Sequence, residues 1–118
     1  MNSEKIIQVV FYASDTGAEP VREWLLELDD EYRKIVGADL KTVEYGWPIG
    51  MPICKKIHSD GLWEVRTNLP GKGNIARVLF CLDDGNMVLL HGFVKKSQKT
   101  PKSDLDLALK RLSSLLGK

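Results

Sequence analysis

The sequence predicts an α+β domain: an antiparallel sheet packed against an N-terminal helical hairpin, with a helix at its C-terminal end. Three observations carry that expectation. Apolar residues recur at helical spacing from Pro20 to Tyr45. The period falls to two from Ile53 onward. An Asp84-Gly85 pair, the strongest short hairpin signal in the chain, then joins two apolar runs. With 118 residues, the chain reads as one domain, 1–118, built around a single core.

The elements follow in order. Residues 6–12 form a β-branched and aromatic run that ends in Ala-Ser-Asp-Thr-Gly, a strand followed by a turn. Pro20 suits the first turn of a helix, with Asp15 or Thr16 upstream as caps. Val21, Trp24, Leu25 and Leu28 give that helix one apolar stripe. Asp29-Asp30 interrupts it and caps a second helix, in which Tyr32, Ile35, Val36, Leu40 and Val43 recur at the same spacing up to Gly46. A link this short predicts an antiparallel helical hairpin. Residues 47–52, with Pro48, Gly50 and Pro52, are a loop.

Strands are then expected at residues 53–58, 62–66, 75–82 and 87–94. Residues 68–74 are a turn-rich loop between the second and third of these. Thr100 caps the last helix with Pro101 at its first position, and Leu105, Leu109, Leu112 and Leu116 form its buried stripe.

Composition excludes several classes. The chain is 43% hydrophobic and 28% charged, ordinary for a water-soluble fold. No apolar run reaches the roughly 18 residues of a membrane span. No basic region followed by an apolar segment marks a leader at the N-terminus, so the expectation is a cytoplasmic protein. Cys54 and Cys81 are too few and too far apart for a disulfide framework or a metal site, and read as buried free thiols. The net charge of +1 hides a division. Residues 1–54 hold five basic and ten acidic side chains, a net of −5, whereas residues 55–118 hold twelve and six, a net of +6. The basic half suits a polyanion, and the acidic half offers a surface for a different partner.

Strand alternation places the chemistry. If Trp63 and Val65 point at the helices, then Glu64, Arg66 and Arg77 project from the opposite face. There Ile75 and Leu79 flank Arg77, and Glu64 lies close enough across the ladder to pair with an arginine. A planar guanidinium matches two phosphate oxygens, so two such arginines suit a phosphodiester. Lys55, Lys56 and His58 end one strand of this sheet; His91, Lys95 and Lys96 end another, with Lys99 just beyond. RNA carries its own nucleophile, the 2′-hydroxyl. Cleaving it takes a base, cations for the crowded phosphate and an acid for the leaving oxygen, and no metal or other cofactor. A strand histidine more often serves structure than catalysis, and the register through Asp84-Gly85 decides which face His91 takes.

Leu62-Trp-Glu-Val-Arg66, Ala76-Arg-Val-Leu-Phe80 and Leu89-Leu-His-Gly-Phe-Val-Lys-Lys-Ser-Gln-Lys-Thr-Pro101, in that order, resemble the phage-derived HigB-like branch of the RelE/ParE toxin superfamily, across residues 53–111. The resemblance implies a RelE-like fold and the toxin of a type II toxin–antitoxin pair. Members of the RelE and HigB branches cleave messenger RNA without a metal, usually in the ribosomal A site, and each is neutralised by a cognate antitoxin. For the HigB branch that antitoxin is typically a helix-turn-helix protein. By position, Arg66 and Arg77 match the arginines that contact the scissile phosphate. Lys55 and Lys56 match the basic strand, and His91, Lys95 and Lys96 match the basic end of the last strand.

One departure concerns the base-stacking or proton-transferring tyrosine that many RelE-type nucleases carry near the chain's end. Here the last tyrosine is Tyr45, which leaves Phe93 to stack and His58, His91 or Lys96 to move the proton. The same fold serves ParE-like inhibitors of DNA gyrase, and a non-catalytic, prophage-derived basic binding module is a further alternative. The oligomeric state stays open, a homo-oligomer included.

Overall fold

The computed structural model describes residues 4–71, 73–96 and 98–117. Residues 1–3, read above for a leader, Lys72 of the turn-rich loop and Ser97 of the last basic stretch lie outside the described residues, as does Lys118. Eight elements follow one another: β1 (Gln8–Phe11), α1 (Pro20–Glu27), α2 (Asp30–Gly46), β2 (Cys54–His58), β3 (Leu62–Asn68), β4 (Ile75–Asp83), β5 (Asn86–Lys95) and α3 (Lys102–Leu115). Among the described residues no helix is long and apolar enough to cross a membrane.

The strands form one five-stranded sheet in the order β1-β5-β4-β3-β2. Strands β2 to β5 pair antiparallel, as their short turns require. At the tightest of these turns Asp84 and Gly85 both have positive φ, 51° and 79°, the geometry that the Asp-Gly pair predicts. The expected all-antiparallel sheet needs one correction. β1 joins the edge of β5 in parallel, Gln8 beside Asn86 and Phe11 beside Leu89, so the sheet is mixed. Two helices separate β1 from the remaining strands, and a helical crossover, unlike a hairpin, lets a strand enter in either direction.

Helices lie on both faces of the sheet, so the core divides in two. Val21, Val36, Leu40 and Val43 from α1 and α2 pack on Val65, Ala76, Val78, Phe80 and Leu89. Ala108 and Leu112 of α3 pack on Leu62, Leu79, Cys81, Val88 and Leu90 on the other face. The sheet is thus covered from both sides, and the face bearing Arg77 is roofed by α3. Leu105, Leu109 and Leu115 flank this second core, whereas Leu116, expected in the stripe, is 44% exposed. Cys54 and Cys81 are buried free thiols, and burial pushes each thiol up to about 11, which keeps both protonated and unreactive at neutral pH.

Helix starts also differ from expectation. Glu19 precedes Pro20 at the start of α1, and neither Asp15 nor Thr16 caps it. Asp29 precedes α2 with its backbone carbonyl bonded to Arg33 N, but without a side-chain cap. Pro101, not Thr100, occupies the capping position of α3. The Thr100 hydroxyl is used elsewhere.

Gly92 carries a packing requirement. It lies in register with Val78, itself opposite Val65, on the face that α1 covers. A Cβ at this position would fall within 3.0 Å of three Trp24 ring atoms. Gly92→Ala is therefore expected to push α1 off β5 and cost about 2–3 kcal/mol, read as a lower midpoint in urea unfolding.

Candidate functional site

Register assembles the predicted face. Glu64 lies opposite Leu79, and Leu79 opposite His91; Arg66 lies opposite Arg77, and Arg77 opposite Phe93. Lys55 on the edge strand extends the first row beside Glu64. With strands about 4.8 Å apart, Lys55, Glu64 and the two arginines become close neighbours. This is the grouping that strand alternation predicts.

Its electrostatics centre on Glu64. Its carboxylate is 1% exposed, lies 3.6 Å from Arg66 Nε and 4.0 Å from Arg77 Nη1, and accepts a 2.6 Å hydrogen bond from Thr100 Oγ1. Arg77 is completely buried, so it contributes to the site from beneath its surface. Burial pulls the Arg77 guanidinium below its ordinary range, with Glu64 opposing and Arg66 reinforcing that effect. Arg66 is closer to solvent, with 15% of its side chain exposed, and its Nη2 donates to the Gln98 carbonyl at 3.5 Å. Beside these groups opens a cleft of about 310 Å³, lined by Lys55, Lys56, Ile57, Glu64, Gln98, Lys99, Thr100 and Leu105. Three lysines, a buried carboxylate and two aliphatic side chains contribute to its lining.

Of the other predicted residues, Lys56 and Lys99 belong to the lining of this cleft, whereas His58, His91, Phe93, Lys95 and Lys96 do not. Lys56 lines it, but its ammonium leans over the Trp63 ring, 6.0 Å from the centroid. His58 sits at the β2–β3 turn, where its Nδ1 accepts from Asp60 N at 3.1 Å. Lys96 is exposed just beyond β5. His91 belongs to a different arrangement. Its Nε2 donates to Asp104 Oδ1 at 2.7 Å, and its Nδ1 faces Arg111 Nη1 at 3.5 Å. Arginine only donates, so this placement favours a proton on Nε2 and an unprotonated Nδ1. Both ring nitrogens are then held by α3, and the imidazole fastens β5 to that helix. Phe93 is buried and stacks on His91 with centroids 5.5 Å apart, so this ring face is already covered. Lys95 Nζ completes the group, donating to Asp104 Oδ2 at 3.0 Å.

Asp104, Arg111 and Thr100 are site neighbours that sequence reasoning missed or assigned otherwise. Burial pushes the Asp104 carboxyl up, but the bonds from His91 and Lys95 outweigh it and hold the group below the ordinary value of 3.8. A depressed folded value gives stability that is fully present above pH 3.8 and is lost as pH falls through the folded value. Asp104→Asn is therefore expected to destabilise the protein by about 1.5–3 kcal/mol at pH 7. The gap to the parent chain should start to narrow only below pH 3.8 and close beneath the lowered folded value, which thermal unfolding across pH 2–7 would read.

Among the described residues, no three His, Cys, Asp or Glu side chains converge in a way that could hold a metal. No curated protein matches the chain. Residues 23–113 match the family model described as phage derived protein Gp49-like (DUF891).

Proposed function

The chain belongs to the Gp49-like family of phage-derived proteins, within the RelE/HigB-like toxin superfamily, and we propose from that premise that it is the toxin of a type II toxin–antitoxin pair. On this reading the α+β fold is the RelE-like one, with α1 and α2 as its N-terminal helical hairpin. The protein is a metal-independent endoribonuclease of the HigB-like branch that cuts messenger RNA in the ribosomal A site, in the cytoplasm. A cognate helix-turn-helix antitoxin neutralises it.

The observation that carries this reading is the arrangement of Arg66, Arg77 and Glu64 on neighbouring strands beside a lysine-rimmed cleft. Arg66 contacts the scissile phosphate and stabilises the charge that grows on it. Arg77 supports it from within the sheet, and Lys55, Lys56 and Lys99 hold flanking phosphates. Of the candidates for proton transfer, His58 and Lys96 reach solvent, while His91 is engaged on both nitrogens. The test is expression in cells together with addition to a translating extract. Growth arrest and transcripts cut within codons are the expected results.

A second reading, the non-catalytic basic binding module, draws on the same engagement of His91 and on the covered ring of Phe93. It expects RNA binding without new RNA ends, so mapping 5′ ends in the extract separates the two.

A further inference from the structure

We propose that Thr100 and Glu64 are positioning residues that assemble the cation cleft for a phosphodiester backbone, holding Lys99 on one wall opposite Lys55 on the other. This deepens the RNA-binding part of the function proposed above and rests on it.

The geometry begins with a diverted hydroxyl. Thr100 stands immediately before Pro101, where a threonine would ordinarily serve the helix, yet α3 starts with no side-chain cap. Its Oγ1 instead crosses 36 positions of sequence to donate to Glu64 Oε2 at 2.6 Å. Glu64 is 1% exposed and fixed within the central strands, so the bond ties the β5–α3 connection to the rigid part of the sheet. A second tie lies two residues upstream, where Arg66 Nη2 donates to the Gln98 carbonyl at 3.5 Å. Lys99 sits between these two ties.

The opposite wall is set by register. Lys55 is the cross-strand partner of Glu64, so register sets its backbone beside the residue that receives Thr100. The cleft between these walls has a volume of about 310 Å³ and includes Lys55, Lys99 and Thr100 in its lining. Lys55 and Lys99 are two cationic residues of one lining, and an anion taken between such residues is favoured by both charges. The hydroxyl–carboxylate bond holds them there before the anion arrives, which reduces the ordering that binding would otherwise require. Ile57 and Leu105 supply apolar walls against which a ribose or base can lie.

The test uses the full chain and a fluorescent single-stranded oligoribonucleotide, with affinity measured by anisotropy over a series of salt concentrations. Thr100→Val keeps the shape and removes the hydroxyl. It is expected to weaken binding about tenfold and to lower the salt slope by about one phosphate contact. Thr100→Ser keeps the donor and is expected to stay within about twofold of the parent. Lys99→Gln, which leaves the Thr100–Glu64 bond in place, is expected to lose the same unit of slope. Combined with Thr100→Val, it should lose little more, because the hydroxyl acts through that lysine.

Thermal unfolding is read beside each variant. A Thr100→Val protein with a lower melting temperature but the parent's affinity and slope would assign Thr100 a structural role only and overturn the proposal. So would additive losses in the double variant, or an unchanged slope in Lys99→Gln should Thr100→Val fail to fold. The assay needs no ribosome and no cleavage. Oligonucleotide binding with this Thr100 dependence, from a protein that leaves transcripts intact in a translating extract, would sink the nuclease reading and uphold the cleft.

Discussion

Arg77→Ala is expected to lower the free energy of unfolding by about 3–5 kcal/mol, the cost typical of removing one partner from a buried ion pair. Arg77 has no exposed surface, and Glu64, at 1% exposure, has no water to replace a lost cation. The substitution also empties the volume of a long side chain between Ile75 and Leu79 in a covered sheet. Urea unfolding followed by fluorescence of the three tryptophans would measure the loss. Replacing the pair together, Arg77→Met with Glu64→Leu, should recover part of the stability, because apolar side chains of similar size remove the buried charges altogether. It should not recover activity. Growth arrest abolished by Arg77→Ala alone therefore says little about chemistry, since an unfolded toxin is also harmless.

Arg66→Ala is the substitution that isolates chemistry. Its guanidinium is partly exposed and shares Glu64 with a buried neighbour, so its loss should cost about 1 kcal/mol of stability. If Arg66 stabilises the charge that develops on the scissile phosphate, cleavage should fall about 10²–10³-fold, the usual effect of deleting one such donor. Arg66→Lys keeps the charge but loses the planar fork, and should recover only a minor part of the rate. Single-turnover cleavage of a defined message in translating ribosomes would read both values beside a melting curve. Together, Arg66 and Arg77 should show opposite profiles: a large catalytic and small stability effect at the first, and a large stability effect at the second.

The contrast between these arginines shows how far the sequence could be read. Strand alternation places Glu64, Arg66 and Arg77 on one face because a period of two needs no knowledge of the rest of the fold. The Asp84-Gly85 turn is equally local. Coverage is not local. The spacing of Leu105, Leu109 and Leu112 says that α3 has an apolar stripe, but nothing in that spacing selects a face of the sheet. Once α3 lies over Leu79 and Leu90, Arg77 becomes interior and His91 becomes a fastening for the helix. Asp104 escaped notice for a related reason. A carboxylate in the first turn of a helix is explained by the helix dipole, which hides its bonds to His91 and Lys95. Thr100 beside Pro101 has the local signature of a helix cap, and its partner lies 36 residues away. The parallel pairing of β1 likewise depends on a crossover through two helices, which carries no short-range signature.

The most direct test of the account is 5′-end mapping of a reporter transcript in a translating extract, comparing the folded parent chain with Arg66→Ala. The expected result is discrete cleavage within codons by the parent, without added metal, and at least a hundredfold less by the variant. A folded parent that leaves the transcript intact, or cleavage that persists undiminished in Arg66→Ala, would contradict the assignment of Arg66 and the adjoining cleft as an RNA-cleaving site.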